Sequence, residues 1–345
     1  MKLEDFDYLL PDQLIATQPL SKRSNSRMLV LDNGKITDSN FANLLDYLSP
    51  GDLLVCNNSK VIPAQLDLVI NNKIVSIQLD KQISKGTWSI FAKPGKKLKT
   101  DETYFLDKNL SFKVLEKDID GRIIIGFSDY SRFDSFLEKH GKTPLPPYIQ
   151  KFHKPTQDDK DTYQTVYAQY PGSVAAPTAG LHFDEETIEK LRSKNINLAY
   201  VTLHVGSGTF LPIKSENIKD HKIHSEYCEV SENTANLINQ TKSKGGKVVA
   251  VGTTSMRTIE FSAKDGIVYP FKGECDLYIM PGYKFQIFDK MITNFHLPKS
   301  SLLVLVSAFS GHRNIKLAYE HAIKNKYRFY SYGDCCLLNK YEEKL

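Results

Sequence analysis

The spacing of hydrophobic and polar residues first predicts short buried strands. Residues 28–32 and 53–58 are compact apolar runs, and residues 41–48 have helical spacing. Asn33-Gly34 follows the first run and is a strong signal for a two-residue hairpin turn. The chain therefore opens with strands that enter a sheet, with one short helix between them.

From about residue 61 to residue 130 the pattern changes to short alternating segments, which predict antiparallel strands. These segments are 65–70, 73–79, 87–92, 104–106, 111–116 and 122–127. A helix over 131–140 and a proline-rich exit follow. We predict a small antiparallel β-barrel domain over 61–150, inserted into a larger domain.

Beyond residue 160 strands and helices alternate, which is typical of an α/β layer. The predicted strands are 197–204, 247–252, 276–279 and 301–307, and the predicted helices are 233–243, 253–261 and 314–325. We predict an α/β domain formed by 1–60 and 151–345, with a mixed or largely parallel sheet and flanking helices.

Composition narrows the functional classes. With 345 residues, 41% hydrophobic and 25% charged, the chain reads as an ordinary globular protein. No apolar run reaches the roughly 20 residues that cross a bilayer, and no signal sequence opens the chain, so we expect a cytoplasmic protein without membrane contact. Five cysteines have no metal-ligand spacing. His221 and His224 lack a third ligand, so we predict no metal.

The formal charge of +5 is mild, but cations cluster locally. Lys96 and Lys97 lie in one basic segment. Lys326 and Arg328 alternate with aromatic residues near the carboxyl end, a pattern suited to phosphate contact and base stacking. A solvated basic face is the alternative for each cluster.

Residues 163–183 form a long segment without a charged side chain, followed by a helix signal at Asp184. Two prolines and two glycines fix an irregular path, and the small side chains would let a ligand approach the backbone. The segment is either a pocket wall or a tight structural crossover. Its candidate contacts are Tyr163, Tyr167, Thr178, Gly180, His182 and Phe183.

Three further loops follow predicted strands, where ligands bind in open α/β sheets. The first carries His204, Gly206 and Gly208, the second Thr253, Thr254, Ser255 and Arg257, and the third Asn294 and His296. The second loop opens a helix and could bind an anion through its N–H groups and Arg257. A β-bulge, an ordinary helix cap and structural histidines are the alternatives.

Complete P-loop, dinucleotide, Gly-x-Ser-x-Gly and His-Glu-x-x-His motifs are absent. Taken together, the residues above resemble the S-adenosylmethionine:tRNA ribosyltransferase-isomerase family of queuosine biosynthesis. The resemblance runs nearly end to end and centres on 163–183. Gln65 stands where the family leads us to expect an arginine, and Cys335-Cys336 replaces an expected small-plus-methionine pair.

The resemblance implies transfer and isomerisation of the ribosyl group of S-adenosylmethionine onto the aminomethyl group of a 7-deazaguanine (preQ1) in the tRNA anticodon. The products would be epoxyqueuosine, adenine and methionine, with S-adenosylmethionine as co-substrate and no other cofactor. Histidine supplies acid and base groups near neutral pH, so His204, His182 and His296 are the candidates, with His204 first. The α/β domain would be catalytic. The inserted barrel and the basic segments would help to bind the anticodon arm of the tRNA, and the enzyme would be a monomer.

Two other functions stay open at this point. A non-catalytic RNA-binding protein would bind tRNA in a salt-sensitive manner without turnover. A nucleoside hydrolase or lyase would turn over a small molecule without RNA.

Overall fold

The computed structural model describes residues 1–118, 121–153, 156, 158–210 and 213–341, without the side chains of Thr209 and Phe210. Among residues 204–211, which carry part of the family resemblance, Leu211 lies outside the described residues. No helix within these ranges is long and apolar enough to span a membrane.

The strands of the described residues are numbered in chain order. They are β1 Arg27–Asp32, β2 Lys35–Asn40, β3 Leu53–Asn57, β4 Ser59–Val61, β5 Gln65–Ile70, β6 Lys73–Ser84, β7 Thr87–Lys93, β8 Thr103–Phe105, β9 Ser111–Lys117, β10 Ile123–Phe127, β11 Tyr170–Ser173, β12 Asn197–Leu203, β13 Glu226–Val230, β14 Val248–Val251, β15 Ala263–Lys264, β16 Ile267–Val268, β17 Phe271–Cys275, β18 Lys290–Asn294 and β19 Cys335–Asn339.

The α-helices are numbered in the same way. They are α1 Tyr130–His140, α2 Pro147–Gln150, α3 Asp159–Thr162, α4 Glu185–Ser193, α5 Glu232–Ser243, α6 Gly252–Ser262, α7 Ser301–Ser310 and α8 His312–Lys324. Short 3₁₀ helices connect them, including Phe41–Tyr47, Thr178–His182 and Ser207–Phe210.

Nine strands of the described residues form one mixed sheet, in the order β17-β13-β12-β3-β14-β18-β19-β1-β2. The four central strands β12, β3, β14 and β18 are parallel, and β19 runs antiparallel to β18. The mixed sheet predicted from the sequence is confirmed. The hairpin at Asn33-Gly34 also forms, because both residues adopt the positive φ that its turn requires.

Both faces of this sheet are covered, which explains why its strands read as continuous apolar runs. In β1, Leu29 and Leu31 face one hydrophobic core while Met28 and Val30 face the other. Helices α5, α6, α7 and α8 pack on the first face and α4 on the second. Asp184 caps α4 as expected, because its Oδ1 accepts a hydrogen bond from the Thr187 N–H at 2.8 Å.

Two predicted strands of the α/β layer are wrong. Residues 301–307 belong to helix α7, and 276–279 lie beyond the end of β17. A short apolar run cannot distinguish a buried strand from a buried helix. Here the Oγ of Ser300 accepts from the Leu303 N–H at 3.2 Å and starts the helix.

The alternating segments form a second sheet of six antiparallel strands, in the order β5-β6-β7-β10-β9-β8. This sheet and α1 share a separate core that includes Trp88, Phe112 and Phe133, and we call them the β unit. The antiparallel β structure predicted here is confirmed. Its order is open, with β5 and β8 at the ends, whereas the sequence predicted a barrel; strand alternation specifies pairing but not closure.

Candidate functional site

A cavity of about 1120 Å³ lies between the β unit and the large sheet. The carboxyl ends of β12, β3, β14 and β18 meet at one edge of the large sheet because these strands are parallel. The cavity opens at the β12 side of that edge. Its walls include β6 and β10 from the β unit and parts of α6 and α7 from the large sheet's helical layer. Of the candidate site residues, four line it: His204, Gly206, Gly208 and Arg257.

Arg257 forms a buried ion pair with Glu226 in the cavity wall. Both residues are 6% exposed, and Nη1 of Arg257 donates to Oε2 of Glu226. The other guanidinium nitrogens are also engaged: Nε donates to the Leu277 carbonyl at 3.0 Å and Nη2 to the Cys275 carbonyl at 3.4 Å. The guanidinium predicted to bind an anionic group is therefore held in place by protein partners.

His204 follows β12 and presents a ring nitrogen without a partner. Its imidazole stacks on Tyr227 at 5.6 Å between ring centroids, and its Nδ1 is buried without a hydrogen bond. Burial lowers the pKa of His204 from its usual 6.5, and Glu229 acts in the opposite direction. The ring is consequently neutral at pH 7 and able to accept a proton.

Gly172 of the 163–183 segment makes room for this imidazole. A Cβ at that position would lie 2.8 Å from Nε2 of His204, and the φ of +146° also disfavours other residues. The segment thus forms part of the cavity wall at Pro171 and Gly172. Gly208 has a comparable role, since a Cβ there would lie 2.6 Å from Cδ2 of His224.

Three consecutive N–H groups after His204 are bound by side chains from three different parts of the chain. Val205 N donates to Ser173 Oγ at 2.9 Å, Gly206 N to Glu226 Oε1 at 3.0 Å and Ser207 N to Asp80 Oδ1 at 3.1 Å. Two of these donors bind carboxylates, so they are occupied by protein groups. We call Asp80, His204, Glu226 and Arg257 the cavity cluster.

His182 lies outside the cavity in a second polar group, the histidine network of Ser26, Thr178, His182 and Asn294. Asn294 Nδ2 donates to Nε2 of His182 at 3.1 Å, so Nδ1–H donates to Ser26 Oγ at 2.7 Å. Thr178 Oγ1 donates to Asn294 Oδ1 at 2.9 Å. Burial, helped by Arg328 and Arg23, lowers the pKa of His182 to about 3. Both ring nitrogens are therefore used, and the ring is neutral.

His296 is also buried outside the cavity. Its ring nitrogen Nε2 forms a hydrogen bond with Thr293 Oγ1 at 2.9 Å. The backbone N–H of His296 donates to the hydroxyl of Tyr319 at 2.9 Å. Burial lowers its pKa to about 3. The three candidate histidines thus occupy three different environments, and among them only His204 borders the cavity.

Thr253, Thr254 and Ser255 form the first turn of α6, next to the 163–183 segment. Gly252 begins this helix at φ +88°. A Cβ at this position would lie 3.4 Å from the Cβ of Ala179. No side chain caps the turn. Ser255 Oγ donates to the Val251 carbonyl at 2.9 Å, whereas Thr254 Oγ1 is buried without a partner. The turn retains donors that an anion could use.

The aromatic candidates of 163–183 are mainly packing residues. Tyr163 and Phe183 are fully buried in separate hydrophobic cores. Tyr167 packs on Phe183 and Tyr200, with ring centroids at 6.3 and 5.6 Å. Gly180 is required beside it, because a Cβ there would lie 2.2 Å from the Tyr167 hydroxyl. The segment therefore contributes to the cavity wall at its middle, at Pro171 and Gly172, and packs tightly in the cores on either side.

The four candidate tRNA-binding cations are dispersed. Lys96 is exposed and Lys97 half-buried on the β unit, and Lys326 is exposed after α8. Arg328 is half-buried and donates through Nη2 to the Gln18 carbonyl. The neighbouring rings of Tyr327 and Phe329 are 0% exposed and belong to the core of the large sheet.

The sequence did not single out Glu226 or Asp80. Glu226 had a detectable signal, since alternation in β13 places it on the buried side with Cys228 and Val230. Asp80 had none, because a β-bulge between Leu79 and Lys81 turns it inward against the alternation of β6. His221 and His224 line the cavity, and no cluster of metal-binding side chains occurs among the described residues.

Comparison with known proteins identifies the family. The model of the "Queuosine biosynthesis protein" family matches residues 3–338. S-adenosylmethionine:tRNA ribosyltransferase-isomerases of Rickettsia rickettsii (strain Sheila Smith) and Halothermothrix orenii are 45% and 46% identical, over 98% of this chain and 99% and 100% of theirs. The crystal structure of the S-adenosylmethionine tRNA ribosyltransferase of Thermotoga maritima aligns with a TM-score of 0.55 and 34% identity, over 96% of this chain and 99% of that one. The chain belongs to the S-adenosylmethionine:tRNA ribosyltransferase-isomerase family of queuosine biosynthesis.

Proposed function

We propose that this protein transfers and isomerises the ribosyl group of S-adenosylmethionine onto preQ1 in a tRNA anticodon, releasing adenine and methionine. One observation carries the assignment to a site: the cavity brings His204, Arg257 and the Gly206–Gly208 loop together at the carboxyl edge of the sheet. Its volume, about 1120 Å³, exceeds the roughly 300–1,000 Å³ of most small-molecule pockets. It has room for a nucleoside donor and an extruded base.

His204 is our proposed general base. The sulfonium of S-adenosylmethionine acidifies the adjacent 5′ carbon, and a neutral imidazole with an unpartnered nitrogen suits removal of that proton. Loss of the proton opens the ribose and expels adenine. The preQ1 amine then attacks, and closure of the epoxide expels methionine.

The other candidate residues have supporting roles in this proposal. The first turn of α6, with Thr253, Thr254 and Ser255, would bind the methionine carboxylate through free N–H groups, since no side chain caps it. Arg257 would contribute positive charge from the wall. His182, His296 and Asn294 would hold the 163–183 segment and the end of β18 in position through hydrogen bonds.

We further propose that residues 1–60 and 151–345 form the catalytic domain and that residues 61–150 form an inserted domain that curves towards a barrel. Lys96 and Lys97 on the inserted domain, with Lys326 and Arg328, would contact the anticodon arm of tRNA. The enzyme would act as a cytoplasmic monomer and use S-adenosylmethionine as its co-substrate without another cofactor.

One assay tests the reaction. The protein is incubated with S-adenosylmethionine, with and without tRNA that carries preQ1, and adenine release and RNA mass are followed. We expect adenine release coupled to a gain in RNA mass. Adenine without RNA would indicate a nucleoside hydrolase or lyase, and salt-sensitive RNA binding without adenine would indicate a binding protein.

A further inference from the structure

The β unit contacts the loop after His204 through one buried carboxylate. Asp80 is 8% exposed, and its Oδ1 accepts two hydrogen bonds from Ser207, from N–H at 3.1 Å and from Oγ at 2.5 Å. Its Oδ2 accepts from Ser89 Oγ at 3.1 Å and lies 3.6 Å from Nε of Arg122. Asp80 is thus fixed by its own unit and holds a loop of the other.

This contact lies close to the proposed chemistry. Ser207 is three residues after His204, and the two N–H groups between them are bound by Ser173 and Glu226. Glu226 in turn holds Arg257. The loop that carries the unpartnered imidazole therefore receives its geometry from the 163–183 segment, from β13 and, through Asp80, from the β unit.

We propose that Asp80 is a positioning residue, through which docking of the β unit sets the His204–Gly208 loop in its reactive arrangement. The inference rests on the function proposed above. A charged acceptor that binds both donors of one serine is stronger than a neutral one, and a buried N–H left without an acceptor is costly. Loss of the carboxylate would let the loop move while the rest of the cavity wall stays in place.

Asp80→Asn tests the proposal. The amide keeps the size of the side chain, and its oxygen can still accept from Ser207, but it is a neutral and weaker acceptor. Its NH₂ group would also replace the charged oxygen that lies 3.6 Å from Nε of Arg122. We expect kcat for adenine release to fall on the order of 10- to 100-fold, with KM for S-adenosylmethionine and tRNA within about 3-fold of wild type. A purely structural role would lower the melting temperature and leave kcat per folded enzyme unchanged, which would overturn the proposal.

Asp67→Asn is the matched control, because Asp67 is a carboxylate of the same unit that pairs with Lys142 at 2.7 Å and does not line the cavity. It should keep wild-type kcat. If Asp80→Asn does not fold, Ser207→Ala decides: it removes only the Oγ bond and should lower kcat roughly 3- to 10-fold, and an unchanged kcat would contradict the proposal. Wild-type enzyme in the same assay distinguishes failure of the Asp80 proposal from failure of the proposed function. If the wild-type enzyme itself released no adenine, the proposed function would be refuted.

Discussion

The cavity cluster and the histidine network are both polar and largely buried, and each includes a residue at the carboxyl end of a strand of the large sheet, His204 after β12 and Asn294 in β18. They differ in hydrogen-bond satisfaction. In the histidine network each ring nitrogen of His182 has a partner, and both the Oδ1 and the Nδ2 of Asn294 form hydrogen bonds. In the cavity cluster Nδ1 of His204 has none. A satisfied network specifies structure, whereas an unsatisfied buried group next to a cavity calls for an explanation, and we proposed above that His204 acts on the substrate. The comparison separates histidines that look alike in the sequence.

Removal of Arg257 should have the largest effect, because it breaks the buried ion pair with Glu226 and the two hydrogen bonds to the carbonyls of Leu277 and Cys275. We expect Arg257→Met to lower the free energy of unfolding by about 3–5 kcal/mol and to abolish adenine release. Urea denaturation and the adenine assay measure both. Lys190→Ala breaks the exposed pair with Glu186 and should cost less than about 1 kcal/mol. Equal losses of unfolding free energy in the two variants would mean that the buried Arg257–Glu226 pair matters no more to stability than an exposed pair.

His204→Gln should separate chemistry from stability. We expect single-turnover adenine release to fall by about 10²- to 10⁴-fold, with a free energy of unfolding close to wild type, since the ring nitrogen at Nδ1 has no partner to lose. Because burial lowers the pKa of His204 from 6.5, wild-type activity should decline only at pH values below 6.5. His321→Gln, at a half-exposed histidine paired with Asp38, serves as control. A larger kinetic loss in His182→Gln would reverse the proposed ranking.

Acid should destabilise the protein through His182 and His296. Both have a pKa near 3 when folded against 6.5 in the unfolded chain, so between these values the unfolded state binds more protons. The stabilisation of the folded state by the two neutral, buried rings is complete above pH 6.5 and is lost as the pH falls towards 3. Between pH 7 and pH 5, the titration of each ring should lower the free energy of unfolding by about 2 kcal/mol. Urea denaturation of wild type and of His182→Gln at both pH values measures the difference; parallel losses would show that His182 does not contribute.

The sequence was sufficient for features that depend on local chemistry. The Asn33-Gly34 hairpin, the Asp184 cap and the alternation of the β unit each follow from a few neighbouring residues, and each forms. It was insufficient where the outcome depends on contacts between distant segments. The run 301–307 forms helix α7, which packs in one core with α6 and α8, and Asp80 reaches Ser207 only through a bulge and the docking of two units.

The same limit applies to the candidate site. Residue type identified His182, His204 and His296 as candidates, with His204 first, but their pKa values and partners depend on what surrounds each ring after folding. Glu226 could have been found from alternation in β13, because a carboxylate on the apolar side of a strand needs a partner. The pairing with Arg257 joins residues from β13 and α6, and no local pattern indicates it.

The smallest expected effect concerns Ser26, which is 2% exposed and accepts from Nδ1–H of His182. Ser26→Ala should cost about 1–2 kcal/mol, because the buried N–H loses its acceptor, while kcat per folded enzyme should stay within about 3-fold of wild type. Ser243→Ala, at an exposed hydroxyl that bonds the Gln240 carbonyl at 2.9 Å, is the control and should cost less than about 0.5 kcal/mol. Urea denaturation and adenine release are measured on the same preparations. If Ser26→Ala instead lowered kcat as strongly as Asp80→Asn without a matching loss of stability, the orientation of His182 would matter to the reaction, and the histidine network would belong to the catalytic site together with the cavity cluster.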